Sequence, residues 1–334
     1  MLFRFFIVAC LQLLLAPLAW SQPKAGLGLS PTTVNLLMQS VVAVSSRTDD
    51  DANSVRTLGQ FRQGSGVVIA PDVVLTIGYL LIESQSVDLI DHRGRRVPGQ
   101  VKAVDTISGF GLVRSLIPLR LEPVPMGDSD AATVPTTVLT LGQGEIELTK
   151  LEVVSRKPFA GNWEYLLDSP LMTLPAVNNW SGAGLFNASG QLIGLGSLLV
   201  PDVFGDAKPL FGNLYVPVND IKTHLSDLLL NGKRSGPAQS WIGISSQAFR
   251  DGGLMVQRVA PDSPAAMAGI EVGDILLALQ GQRIESLSHF YRQMWSRGPA
   301  GSALEITVKR NGQERKIQVI TGDRAQSMKT PRGV

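Results

Sequence analysis

The chain of 334 residues carries 30 Lys and Arg against 28 Asp and Glu and is 44% hydrophobic, enough apolar material for two or three packed domains. So even a charge balance points to neither nucleic acid nor anionic lipid as a partner. One cysteine, Cys10, and three histidines, His92, His224 and His289, exclude a disulfide framework and any metal pair spaced like H-E-x-x-H, and no cofactor is implied.

At the amino end Arg4 precedes an apolar stretch from Phe5 to Ala19, and the small residues Ala19 and Ser21 flank Trp20, as at a signal peptidase site. Residues 1–21 therefore read as a cleaved export signal, whose loss removes Arg4 and Cys10. The alternative is an uncleaved membrane anchor, although the stretch is shorter than the roughly 20 residues a spanning helix needs. No stable membrane insertion is expected. Residues 22–57, with Pro23, Pro31 and the acidic run Asp49-Asp50-Asp51, read as a flexible segment, with order expected from near Leu58.

From 58 to 230 the sequence is mainly β. Short apolar runs such as Val67-Val68-Ile69-Ala70, Val73-Val74-Leu75-Thr76, Val87-Asp88-Leu89-Ile90, Val138-Leu139-Thr140-Leu141 and Leu192-Ile193-Gly194-Leu195 alternate with Gly, Pro, Asp and Asn. That spacing predicts many strands in a sandwich or barrel. One amphipathic helix is expected from Val218 to Leu230, capped by Asn219 or Asp220 and stopped at Asn231-Gly232. Residues 231–239, containing Ser235-Gly236-Pro237, read as a linker.

Trp241-Ile242-Gly243-Ile244 opens a second unit over 240–321. It continues through Ser263-Pro264-Ala265-Ala266-Met267-Ala268-Gly269-Ile270 and Gly273-Asp274-Ile275-Leu276, and closes with the strand Leu304 to Arg310 leading into Asn311-Gly312, a hairpin signal. Pro264 suits a first helical turn. Together these motifs resemble a PDZ domain of the bacterial type. Residues 322–334 read as a disordered tail.

With that unit behind a β-rich exported domain, the first domain resembles the HtrA/Deg family of trypsin-like serine proteases. Gly64-Ser65-Gly66-Val67-Val68-Ile69 is similar to the family's opening strand, and Met126-Gly127-Asp128-Ser129-Asp130 to the segment entering its second barrel. Ser189-Gly190-Gln191-Leu192-Ile193-Gly194 is similar to the hairpin after the nucleophile, and Tyr215-Val216-Pro217-Val218-Asn219 to the strand before the linking helix. The resemblance implies two six-stranded antiparallel barrels followed by PDZ, and a periplasmic protein, or, for an uncleaved anchor, one held at the inner membrane.

The catalytic positions depart from the family pattern. The family's L-T-x-x-H reads Leu75-Thr76-Ile77-Gly78-Tyr79 here, which puts a phenol, protonated at neutral pH, in the general-base position. The aspartate of D-L-A falls at Gly109, which has no carboxylate to orient an imidazole. Asp105 reads as a turn residue. In Asn179-Trp180-Ser181-Gly182-Ala183-Gly184-Leu185 the nucleophile Ser181 remains, with oxyanion N–H positions at Asn179 and Ser181. A serine hydroxyl is a poor nucleophile without a neighbouring base, and the three histidines lie in a turn (His92), on the linking helix (His224) and in the PDZ unit (His289).

The resemblance thus implies a pseudoprotease, with metal sites absent, whose PDZ unit binds C-terminal or extended segments of partner proteins. Trp241, Ile242, Gly243 and Ile244 match the loop whose N–H groups hold a terminal carboxylate. Ile242 and Ile244, with Leu287 and Phe290, are the candidates for its apolar pocket. A homotrimer, with Phe61 contributing, or co-assembly with an active family member is implied by resemblance. Two alternatives stay open: a slow serine endopeptidase using Ser181, and a chaperone-like holder of unfolded chains.

Overall fold

The computed structural model describes residues 28–205 and 209–329. The expected export signal, residues 22–27 of the expected flexible segment and residues 330–334 of the expected tail lie outside them. Among the described residues no helix is long and apolar enough to cross a membrane.

Two closed antiparallel barrels of six strands follow one another. The first runs in the order Val41–Thr48, Phe61–Ala70, Val73–Ile77, Phe110–Ser115, Arg96–Val104 and Ser84–Ile90, and the last of these pairs back onto Val41–Thr48. In the second the order is Leu171–Leu174, Gly212–Pro217, Leu192–Val200, Gly184–Phe186, Thr136–Leu141 and Thr149–Ser155, closed by pairing of the last with the first. All five apolar runs named from the sequence lie in these strands. Their side chains fill the barrels, among them Val67, Val68, Val74, Leu75, Leu192 and Leu195, each contributing about 1.5–3 kcal/mol by leaving water. Closure removes the exposed strand edges that invite aggregation.

The expected flexible segment before Leu58 is corrected by the helix Pro31–Ser40 and the strand Val41–Thr48, which closes the first barrel. Ser30 caps the helix by accepting from the Thr33 N–H at 3.1 Å, and Pro31 sits in its first turn, where proline is tolerated. Val41, Val42, Ala43 and Val44 are all buried between two neighbouring strands. That apolar run outweighs the punctuation by Pro31 and the aspartates.

The single helix expected from Val218 to Leu230 is two short ones, Asn219–Lys222 and Leu225–Asn231. Asn219 does not cap through its side chain. Its amide donates to the carboxylates of Asp128 at 2.7 Å and Asp130 at 2.9 Å, fastening the helix to the segment that enters the second barrel. Gly232 ends the second helix in the left-handed conformation, as expected of a C-terminal stop.

The carboxy-terminal unit has a sheet in the order Ile244–Ala248, Leu254–Val259, Ile275–Leu279, Ala303–Arg310 and Gln313–Ile320, with Gln282–Arg283 added on Ile275–Leu279. The helix Leu287–Ser296 packs against it, burying Phe290, Tyr291 and Met294. Asn311 and Gly312 both take positive φ, 53° and 82°, as a two-residue hairpin turn requires.

The stretches expected to be a linker and a disordered tail are fastened instead. The Arg234 guanidinium donates to Asp105 at 3.0 and 2.6 Å, and Gly322–Asp323 pairs with Ser240–Trp241. Beyond a short turn, the Lys329 N–H donates to Glu83 in the first domain at 2.9 Å. These partners are remote in sequence, so local composition carries no trace of them.

Candidate functional site

Ser181 lies between the barrels. Its carbonyl accepts from the Ser65 N–H at 2.8 Å, and the Gly182 N–H donates to Gly196 at 2.8 Å, so both barrels fix the loop. Close approach demands a small neighbour: a Cβ on Gly64 would fall 2.7 Å from the Ser181 Oγ. Asn179, an expected oxyanion position, keeps a negative φ, so the loop makes no demand there that only glycine could meet. Trp180 is half-buried, and its carbonyl accepts from the Ala183 N–H at 3.0 Å.

The turn Gly78–Leu80 after the strand Val73–Ile77 delivers Tyr79 to this loop. Its hydroxyl stands 2.9 Å from the Ser181 Oγ and 3.1 Å from the Ser197 carbonyl. The phenolic O–H donates toward both, one proton shared between the Ser181 Oγ and the Ser197 carbonyl, so the serine oxygen accepts from the phenol. Burial pushes the Tyr79 phenol well above its ordinary value, against a smaller lowering by Ser181. At neutral pH it is a neutral partner for the serine.

Gly109 takes φ of +84°, and a Cβ there would lie 2.6 Å from the Tyr165 hydroxyl. That hydroxyl donates to the Ser108 carbonyl at 2.6 Å. The space beside Gly109 is therefore filled by a buried tyrosine from the strand Tyr165–Leu167, which lies outside both barrels. Asp105, four residues earlier, behaves as a turn residue: it accepts from the Ser108 N–H at 3.2 Å and the Ser108 hydroxyl, and it pairs with Arg234. Its oxygens are committed away from the serine.

The histidines sit elsewhere. His92 lies in the turn whose Asp91 accepts from the N–H groups of Arg93 and Arg95, both at 2.9 Å. His224 precedes the helix Leu225–Asn231, and the His289 N–H donates to Ser286 at the start of the PDZ helix.

In the PDZ unit the loop Trp241 to Ile244 holds a carboxylate, and that carboxylate belongs to the same chain. Glu164 accepts from the N–H groups of Ile242 at 2.9 Å, Gly243 at 2.6 Å and Ile244 at 2.8 Å. Gly243 takes φ of +88°, and a Cβ there would strike Ser263, so only glycine fits. Burial raises the Glu164 carboxyl above the usual range, while the three N–H donors and Arg324 pull it down. Each such charge-assisted bond is worth about 1.5–3 kcal/mol, against several kcal/mol for taking the charge out of water. Of the expected pocket residues, Ile242, Ile244 and Phe290 are buried in the PDZ core and Leu287 packs partly buried against it.

Glu164, Tyr165, Tyr291 and Arg324 are the residues sequence reasoning missed. The turn Asn162-Trp163-Glu164 joins the strands Phe159–Gly161 and Tyr165–Leu167, and nothing in its local pattern distinguishes it from an ordinary hairpin.

Comparison with known proteins agrees with this geometry. Residues 64–195 match the trypsin-like peptidase domain family, and residues 240–321 match the PDZ domain family. The serine protease Do-like HtrA of Lactobacillus helveticus is 23% identical over 300 residues, covering 81% of this chain and 71% of that protein. The periplasmic serine endoprotease DegP of Escherichia coli is 26% identical over 269 residues, covering 77% of this chain and 56% of its own length. The chain thus spans little more than half of DegP. Among solved structures, the serine endoprotease from Yersinia pestis aligns with a TM-score of 0.53 at 21% identity, covering 90% of this chain and 99% of that one. The HtrA-type protease AlgW with a decapeptide aligns at 0.54 and 18%, covering 90% and 98%. These likenesses establish the fold, a trypsin-like double barrel followed by a PDZ domain. In both parts the chain is similar to HtrA- and DegP-type trypsin-like peptidases that carry a PDZ domain.

Proposed function

We propose that this chain is an exported pseudoprotease of HtrA/DegP architecture that binds C-terminal or extended segments of partner proteins through its PDZ unit. The observation that carries the first half is the Tyr79 hydroxyl 2.9 Å from the Ser181 Oγ. A phenol held protonated by burial cannot take up the serine proton at working pH, and Gly109 offers no carboxylate. Losing base and orienting acid removes most of a serine protease's turnover and leaves only what binding and the oxyanion site supply.

The second half is supported by three converging N–H groups at Ile242, Gly243 and Ile244, which already hold one carboxylate. A peptide's terminal carboxylate has the same chemistry. Export to the periplasm is favoured by the apolar amino end and by the likeness to the periplasmic endoprotease DegP. Assembly as a homotrimer, or with an active relative whose substrate access it regulates, fits the same reading.

A fluorophosphonate probe tests it. The expected result is no labelling of Ser181 and no digestion of casein at high protein concentration. Stoichiometric labelling abolished by Ser181→Ala would establish the competing reading, a slow serine endopeptidase, which the likeness to the HtrA and DegP proteases favours.

A further inference from the structure

The hairpin formed by Phe159–Gly161 and Tyr165–Leu167 reaches out of the second barrel and lies against the PDZ unit. Its contacts reproduce the parts of a bound C-terminal peptide. Glu164 supplies a carboxylate to the N–H groups of Ile242, Gly243 and Ile244. The Asn162 carbonyl accepts from the Ser246 N–H at 3.0 Å, a backbone bond to the strand Ile244–Ala248. On the opposite wall the Tyr291 hydroxyl, from the helix Leu287–Ser296, donates to the Gly161 carbonyl at 2.8 Å and accepts from the Glu164 N–H at 3.1 Å. Ala160 and Leu166 pack on the PDZ core.

Glu164 takes φ of 59° as the last residue of the three-residue hairpin loop, a conformation common at that position. Carboxylate in the loop, backbone pairing to the adjacent strand and apolar side chains under the helix are the three elements of peptide recognition by strand addition.

We infer that this hairpin is an internal ligand of the PDZ unit, with Glu164 in place of a terminal carboxylate, and that a partner's C-terminus binds only after Glu164 has withdrawn. The inference rests on the proposed reading of the loop as a carboxylate receptor. Its partner is a polypeptide with a free terminal carboxylate, which competes with Glu164 for the same three N–H groups. Because Tyr165 is the next residue and fills the space beside Gly109, the hairpin that blocks the PDZ loop also occupies the position of the missing triad aspartate. Withdrawing it alters both sites together.

The apparent affinity of a receptor that is open for only a fraction of the time falls by that fraction. Binding of a pool of short fluorescent peptides with free C-terminal carboxylates is measured by anisotropy on the full chain, with the amidated pool as control. Glu164→Ala, and separately Tyr291→Phe, which keeps the ring but loses the hydroxyl, are expected to tighten binding of the carboxylate pool by roughly tenfold or more. In both variants amide exchange at Gly243 is expected to quicken without peptide and to slow again with it. Equal affinity and equal exchange across wild type and both variants would overturn the internal ligand while leaving the receptor reading in place. Failure of every form to prefer free over amidated peptide, with all of them folded by circular dichroism, would overturn the receptor reading and the inference with it.

Discussion

The hydroxyl of Tyr165 stands 2.6 Å from the point where a Cβ on Gly109 would fall. Gly109→Asp is therefore a strained substitution. A non-glycine residue at φ of +84° costs roughly 1–3 kcal/mol, before Tyr165 is pushed aside. Urea unfolding is expected to show at least that loss, and adding Tyr165→Phe is expected to recover only part of it. A variant as stable as wild type would show that the loop relaxes freely.

Tyr79→Phe removes the hydroxyl between Ser181 and the Ser197 carbonyl. A loss of about 1 kcal/mol is expected in thermal or urea unfolding, and on the proposed reading a fluorophosphonate labels Ser181 in neither form. Labelling in wild type that disappears in Tyr79→Phe would make the phenol a working partner of the serine.

Within the PDZ unit Asp274, 1% exposed, is gripped by Arg310 at 2.6 and 2.7 Å and by the Glu271 N–H at 2.9 Å. Burial works to raise its pKa, but these partners hold it below the ordinary carboxylate value. A depressed folded-state pKa gives stability that is present above the unfolded value, about 3.9 for aspartate, and that is lost as pH falls further through the folded value. Asp274→Asn is expected to cost about 3 kcal/mol at pH 7, since Arg310 retains Glu271 at 2.6 Å. The gap between wild type and variant should shrink below pH 4, read from urea unfolding across pH. A gap that does not vary with pH would place the effect in packing.

Asp105 and Arg234 pair across 2.6 Å with side chains 5% and 19% exposed. Asp105→Ala leaves the arginine without this partner and loosens residues 231–239. Limited trypsin digestion is expected to cut after Arg234 several times faster than in wild type, with intact barrel and PDZ fragments as products. An unchanged cleavage pattern would mean that the neighbouring bond from the Ser235 N–H to Asp227, at 3.2 Å, suffices to hold the segment.

Features written in local chemistry were legible in the sequence. Runs such as Val73-Val74-Leu75 announce strands, and Ser263-Pro264 announces a capped turn, which the structure provides through a bond from the Ala266 N–H to the Ser263 hydroxyl at 3.3 Å. The positions of Tyr79, Gly109 and Ser181 followed from short motifs, and Tyr79 does meet Ser181. What stayed hidden depends on contacts across long stretches of chain. Glu164 finds its three donors 78 to 80 residues away, and Lys329 finds Glu83 at a separation of 246. The strand Val41–Thr48 was missed because flanking proline and aspartates resemble loop composition, although its burial between two partners follows from the valines alone.

The two ends of the PDZ unit pair with each other, Ser240–Trp241 on Gly322–Asp323, and the chain on either side is tied to the first domain, by Arg234 to Asp105 before the unit and by the Lys329 N–H to Glu83 after it. A module tied at one end sways like a pendant, whereas one tied at both turns only when a strap lets go. Turning this unit against the barrels therefore requires at least one of these fastenings to part first.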